Sequence, residues 1–327
     1  MNNCLVRSYT PNNWVHIAPL LADWPFKPLA RHDRWPQAGL LRFTCERVQG
    51  ALGNEDGATL VALRQRQARG FACLTMLPWD SDQLGMRAAR VDYLIAEGNY
   101  DEQLPVKEML IEQVLLEAHD RGVWHLSARV DASDLSALHV LEKAGFITVD
   151  GILTIALDLT SHKSIERPHD FQIRPATPDD AERVADLART AFIYDRFHAD
   201  PFISPDRAGE LHATWLRNSC AGKAADAVIL AEDDTGLLGF MTCVLQHDTR
   251  KELGRMVGTV VMAASAEAAR GRGIAYATLM AALDWFKEQG CEIVDSGTQV
   301  RNIPCLGLFQ KCGFRIVGSS ISLRRLL

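Results

Sequence analysis

The stretch of this sequence best equipped for chemistry is Arg270-Gly-Arg-Gly-Ile-Ala275. Ahead of it lies Gly258–Ser265, β-branched and apolar, which reads as a buried strand. Behind it, Tyr276–Lys287 sets Leu279, Leu283 and Phe286 on one face at the spacing of an amphipathic helix. A strand, a glycine-rich turn and a helix together make an anion site. The first N–H groups of a helix have no intrahelical acceptor, and the helix dipole adds positive potential there. Gly271 and Gly273 let backbone approach a phosphate closely. Arg270 and Arg272 would add charge-assisted contacts. A bare R-G-R-G is only a loop with charged tips; its place between strand and helix is what points to a pyrophosphate.

Other residues have the right chemistry but weaker context. His247, Asp248 and Glu252 precede the same strand, and each could accept a proton from an amine. Each reads equally well as a solvated turn residue. In Asp195-Arg-Phe-His198, Arg196 could hold a phosphate or form a surface ion pair. Trp79 and Trp215 fit a core or an interface better than a stacking platform. The eight cysteines are scattered, with no C-x-x-C pair and no zinc spacing, so they read as reduced, mostly buried thiols. No metal is implied.

These residues need a scaffold, and 327 residues suit two domains of roughly 150 each. The polar, proline-containing stretch Thr160–Asp170 reads as a joint. It predicts domains over residues 1–160 and 171–327 with a linker over 161–170. Both halves end alike. Asp134 to Phe146 carries Ala137, Leu138, Leu141, Lys143 and Gly145 in the same order and spacing as Cys305, Leu306, Phe309, Lys311 and Gly313 between Asn302 and Phe314. Two such matches predict a duplicated domain. The loop is not duplicated. At its counterpart the chain reads Glu97-Gly-Asn-Tyr-Asp-Glu-Gln-Leu-Pro105, whose acidic groups would repel a pyrophosphate. One anion site, in the second half, is expected.

Bulk composition excludes other classes. The net charge of −6 gives no global field for nucleic acid or an anionic membrane. No apolar run nears the ~20 residues of a spanning helix. The opening MNNCLVRSYT lacks the pattern of a signal peptide, so a cytoplasmic location is expected. Oligomeric state is not legible, and a homodimer is compatible with everything above.

The two strongest motifs together resemble the GNAT superfamily of N-acetyltransferases. Its pyrophosphate pattern Q/R-x-x-G-x-G/A is matched by Arg270, Gly273 and Ala275. Its later pattern N-x-x-A-x-x-x-Y-x-x-x-G-F is matched by Asn302, Gly313 and Phe314, with Cys305 for the small residue and Phe309 for the tyrosine. The resemblance implies an α/β (α+β) fold: two tandem GNAT domains, each a mixed, mostly antiparallel sheet flanked by helices, the first degenerate. It implies acetyl-CoA as co-substrate and direct attack by an amine. A strand over Thr259–Ser265 would polarise the carbonyl through the backbone of Ala263 or Ser265. Asn302 would contact the pantetheine arm or a bound water. Phe309 cannot donate a proton as the tyrosine does. The thiolate then leaves unaided, Tyr276 or Tyr194 serves instead, or catalysis has been lost.

A closer likeness is to the dTDP-fucosamine acetyltransferases, which acetylate a nucleotide-linked amino sugar. It rests on Ile173-Arg-Pro-Ala-Thr, on Ala188–His198, and on Thr298-Gln-Val-Arg-Asn302. It implies an acceptor region near Tyr194, Arg196, Phe197, Thr298 and Gln299. A protein N-terminus, a polyamine or an antibiotic amine is the alternative acceptor, and a non-catalytic acetyl-CoA-binding module is the alternative class.

Overall fold

The computed structural model describes residues 4–10, 13–52, 56–163 and 169–327. In chain order the first half holds β1 (Leu5–Ser8), α1 (Trp14–Ala22), α2 (Gln37–Leu52), β2 (Ala58–Arg64), β3 (Gln67–Met76), α3 (Pro78–Leu84), β4 (Ala88–Ala96), α4 (Tyr100–Asp120), β5 (His125–Asp131), α5 (Leu135–Lys143) and β6 (Ile147–Asp158). The second holds β7 (Gln172–Pro175), α6 (Ala181–Ala191), α7 (Arg196–Ala199), α8 (Pro205–Cys220), β8 (Ala227–Asp233), β9 (Gly236–Gln246), α9 (His247–Leu253), β10 (Val257–Ser265), α10 (Ile274–Glu288), β11 (Ile293–Gln299), α11 (Ile303–Lys311) and β12 (Arg315–Leu326).

The chain forms two compact units with the same strand plan. In the first, the sheet runs β1-β2-β3-β4-β5-β12. All neighbours are antiparallel except β4 and β5. In the second, the order β7-β8-β9-β10-β11-β6 repeats the plan, with β10 and β11 as the parallel pair. The mixed, mostly antiparallel sheet expected for each half is present, and the duplication is real.

The boundaries of the units differ from those expected. The first unit comprises Met1–Gly151 with Ser319–Leu327, and the second Ile152–Gly318. Each sheet therefore takes its last strand from the other half of the sequence: Ser320–Leu326 pairs with β5, and Ile152–Asp158 pairs with β11. The polar stretch at 160–170, of which 164–168 lie outside the described residues, follows β6 in the chain. Hydrogen-bond ladders, not linker composition, define the compact bodies here.

Helices cover both faces of each sheet. In the first unit, Leu110 and Val114 of α4 and Val140 and Leu141 of α5 share a core with Leu74, Leu126 and Leu323. Ile17, Leu21 and Val48 cover Phe71, Cys73 and Ile95 on the other side. In the second unit, Leu279, Leu283 and Phe286 of α10 and Phe309 of α11 pack with Val260 and Val294. Val184, Ala188 and Leu216 cover Leu230 and Phe240. The helical period read in the sequence at 279, 283 and 286 is this buried stripe. Among the described residues, no helix is long and apolar enough to cross a membrane.

Candidate functional site

In the second unit, β10 and β11 pair over four residues only, from Val257↔Ile293 to Val260↔Ser296. A bulge then shifts the β9–β10 register between Val260 and Ala263. Beyond it, β10 stays with β9 as far as Ser265↔Gly239, and β11 stays with β6 as far as Gln299↔Ile152. The two parallel strands thus part at their C-terminal ends. Such bulges commonly re-aim backbone next to a site. Thr242 stabilises this one: its Oγ1 accepts from Met262 N at 2.9 Å.

The base of the opening is held by side chains from three strands. Gln246 Nε2 donates to Thr259 Oγ1 at 2.7 Å, and Thr259 Oγ1 donates to Asp295 Oδ1 at 2.7 Å. Ser296 Oγ donates to the Val260 carbonyl at 2.9 Å. Asp295 is buried. This chain escapes a reading of the sequence because its members lie far apart along it and meet only through strand register.

At the far end of β10 stands the glycine loop. A short 3-10 turn over Glu267–Ala269 leads into Arg270 and Gly271, and Gly273 caps α10. Gly271 and Gly273 both have φ of +84°, a conformation that only glycine adopts freely. Gly273 brings no side chain to the helix start, so the first N–H groups of α10 remain for an external acceptor. The two arginines differ. Arg272 is bound by Asp233 at 2.8 Å and Asp170 at 3.1 Å, so it braces the loop against the end of β8. A hydrogen bond from Thr235, and then one from Arg272, hold the Asp233 carboxyl down at about 2. Arg270 is more exposed, at 59%, with Glu267 at 3.5 Å. It is the better placed of the two for a ligand's charge.

The first unit has the same splay but a closed helix. Its β4 and β5 also share four parallel pairs, Ala88↔His125 to Val91↔Ala128. The helix that follows, α4, starts at Asn99 with a complete capping box. Asn99 Oδ1 accepts from Glu102 N at 3.1 Å, and Glu102 Oε2 accepts from Asn99 N at 2.8 Å. Two N–H groups at this helix start, those of Asn99 and Glu102, are engaged by the box, and two acidic residues, Asp101 and Glu102, sit in the first turn.

The remaining expected residues fall into distinct places. Ala263 and Ser265 lie on β10 beyond the bulge, where β11 has departed. Ala275 and Tyr276 open α10, and Tyr276 packs on the core. Asn302 caps α11, its Oδ1 accepting from Cys305 N at 3.3 Å, as Asp134 caps α5. Phe309 is 2% exposed and meets Phe314 edge-on at 4.8 Å, so it fills the core and does not line a surface. Thr298 is buried, and Gln299 ends β11. Tyr194 and its neighbours do approach this end: Arg301, in the turn after β11, donates to the Tyr194 carbonyl at 3.1 Å. Arg196 stacks on Phe197, which is buried.

The candidate bases are not brought to the loop. His247, Asp248 and Glu252 form α9, which follows Gln246 opposite Val257, where β10 and β11 are still paired. The nine residues of β10, at ~3.3 Å each, put α9 roughly 25 Å from the glycine loop. Glu252 is buried and paired with Lys251, and Thr249 is bonded to Gln246 O and Val257 N. These contacts make α9 a rigid closure of the β9–β10 turn.

Comparison with known proteins agrees with this geometry. Residues 184–314 match the Acetyltransferase (GNAT) family. The chain is 29% identical over 187 residues to the spore coat polysaccharide biosynthesis protein SpsD of Bacillus subtilis, covering 57% of this chain and 61% of that one. It is 23% identical over 201 residues to the dTDP-fucosamine acetyltransferase of Escherichia coli O6:H1, covering 61% of this chain and 81% of that one. The chain thus spans about three fifths of the SpsD length. Among solved structures, a GCN5-related N-acetyltransferase from Sphaerobacter thermophilus superimposes with a TM-score of 0.65 at 19% identity, over 99% of this chain and 95% of that one. A tandem GNAT protein from the clavulanic acid biosynthesis pathway gives 0.60 at 13%, over 99% and 98%. Residues 184–314 thus match the GNAT acetyltransferase family, and the chain as a whole shares its fold with a tandem GNAT protein.

Proposed function

We propose that the second unit transfers an acetyl group from acetyl-CoA to a primary amine, and that the amine belongs to a nucleotide-linked amino sugar. The observation that carries the first part is the uncapped start of α10 at Gly273, directly after a strand that has parted from its parallel neighbour. The pyrophosphate is read by the α10 N–H groups and Arg270. The pantetheine arm then lies along the opening, beside backbone of β10 that no longer bonds β11. The amine nitrogen attacks the thioester carbonyl, the C–S bond breaks, and CoA leaves as a thiolate. Holding the two reactants together supplies much of the rate. A buried phenyl ring at 309 donates no proton, so the thiolate departs without one from that position. The Gln246–Thr259–Asp295 chain and the Ser296–Val260 bond fix the strand edges at the vertex.

One curated relative is named for dTDP-fucosamine and another for spore coat polysaccharide biosynthesis. The test is release of CoA thiol from acetyl-CoA with a panel of amines that includes dTDP-linked amino sugars. Release with the sugar nucleotides above all others supports the whole reading. Release with a polyamine or peptide amine alone overturns the acceptor and keeps the reaction. Binding of acetyl-CoA without release for any amine favours a non-catalytic module.

A further inference from the structure

Outside the strand opening, the second unit gathers one more set of reactive side chains. Asp195 caps α7, His198 sits one turn into that short helix, and His212 lies in the middle of α8. One ligand atom from each lies within 4.8 Å of the others, the one such group of three among the described residues. The connection that bears Asp195 is itself held at the β11–α11 turn through Tyr194 and Arg301.

We propose that Asp195, His198 and His212 form a site for a divalent transition-metal ion, zinc being the best suited, with a fourth position open to water or an outside ligand. Three geometric facts support it. First, the carboxylate divides its work. Oδ1 accepts from Phe197 N at 2.8 Å and His198 N at 3.2 Å, and so fixes the group, while Oδ2 faces the two imidazoles. Second, His212 Nδ1 lies 2.7 Å from the Ala208 carbonyl. A carbonyl only accepts, so Nδ1 is the donor, and in the neutral ring Nε2 carries the lone pair. That nitrogen is the one turned toward Asp195. A ligand histidine held by a backbone carbonyl through its other nitrogen is the usual arrangement around a metal.

Third, the hydrogen-bond network is half made: His198 bonds the carboxylate and His212 Nε2 does not reach it. His198 Nδ1 is 2.6 Å from Asp195 Oδ2, and His212 Nε2 is 3.8 Å from the same oxygen. The longer gap exceeds a hydrogen bond. Zinc bonds of ~2.0–2.1 Å to N and O make tetrahedral edges of about 3.4 Å, between the two observed values. The His198 ring passes its proton to Nε2, which frees Nδ1 for the metal. Phe192 stacks on His212 at 4.5 Å and Phe197 meets it edge-on at 6.0 Å, giving the apolar surroundings that keep competing water away. Two histidines and one carboxylate with an open position suit borderline divalent ions and not calcium or magnesium, which prefer all-oxygen sites. An ion here would tie the Tyr194–Ala199 connection to α8.

The test is direct binding to the intact chain. Zn²⁺ is titrated into metal-free protein by calorimetry, alongside Asp195→Asn and His198→Gln. Saturable uptake of one ion per chain, weakened at least ~10-fold in both variants, is the expected result, since loss of even an outer partner costs that much. In a second measurement, Co²⁺ bound to the unaltered chain should show visible d–d bands without a thiolate charge-transfer band, which decides the case even where a variant fails to fold. No saturable uptake, equal affinity in folded variants, or a thiolate band that places the ion on one of the cysteines would overturn the proposal.

Discussion

Phe286 of α10 lies directly against Gly258 of β10: a Cβ atom at position 258 would fall 2.4 Å from the Phe286 Cδ1. Phe286 itself is fully buried. The helix whose first turn carries the proposed anion site is thus seated on its sheet through a position that tolerates no side chain. Gly239 repeats the device one strand over, where a Cβ would meet Ile274 Cγ2 at 2.7 Å. Gly258→Ala must therefore push α10 off β10 or twist Phe286 from its rotamer. Overpacking of this kind costs about 1–3 kcal/mol. Thermal unfolding followed by circular dichroism should show a lowered Tm, and acetyl-CoA affinity should fall with it because the loop moves with the helix. An unchanged Tm would mean that the contact is soft.

Gly273 poses the opposite case. Nothing lies within 4 Å of a Cβ built there, so only backbone conformation opposes a side chain. At φ +84°, an L-residue costs about 1–2 kcal/mol. Gly273→Ala should keep the fold and weaken acetyl-CoA binding about tenfold, as the loop relaxes away from its geometry. Equal affinity in calorimetry would show that the loop does not shape the site.

The two loop arginines should separate by experiment. Arg272 is engaged by Asp170 and Asp233, while among the described residues Arg270 has Glu267 at 3.5 Å as its acidic partner. Arg270→Ala should weaken acetyl-CoA binding with little change in Tm, and the loss should shrink as salt is raised. Arg272→Ala should lower Tm as well as affinity, because it removes the brace. The reverse pattern would exchange their roles.

Acid stability has an identifiable source in the second unit. Arg174 reaches Asp180 at 2.7 Å and Glu232 at 2.5 Å, and Arg183 adds bonds to both. The Arg174 hydrogen bonds, against the opposing effect of burial, hold both carboxyls below their ordinary values, Asp180 far below. A depressed carboxyl stabilises the folded state fully above its unfolded pKa, about 3.9–4.3 for these groups, and the contribution fades as pH falls through the folded value. Stability should be flat with respect to these groups from neutral pH to about 5 and decline below about 4. Arg174→Ala should lower stability at neutral pH by on the order of 2–3 kcal/mol, since it leaves a buried carboxylate poorly compensated. Urea unfolding at pH 7 and pH 3 measures both: the gap between wild type and variant should narrow at pH 3. A constant gap would assign the effect to packing.

What the sequence made legible follows from how local each feature is. The loop at 270–275 is read within one strand–turn–helix unit, and the structure keeps that unit intact. The paired helix ends at Gly145 and Gly313, both at positive φ, are likewise local. The exchange of β6 and β12 is not local: Leu323 pairs with Ala128, and Ile155 with Ser296, each across more than a hundred residues. No spacing rule announces such pairings. His247, Asp248 and Glu252 drew attention because they precede β10, but β10 is entered from the end remote from the loop. Asp195, His198 and His212 show no metal-ligand spacing because His212 belongs to the next helix. Phe309 stood out as a missing acid, and its burial against Phe314 shows why a hydrocarbon ring suits the place.

The central claim is that one acetyl-CoA site exists, at the open start of α10, while Asn99 and Glu102 close its counterpart on α4. Calorimetric titration of the full chain with acetyl-CoA tests it most directly, with Gly273→Ala and Asn99→Ala measured beside the wild type. The account predicts one molecule bound per chain, an affinity lowered by Gly273→Ala and an affinity untouched by Asn99→Ala. Two molecules per chain, or an affinity indifferent to Gly273, would contradict it.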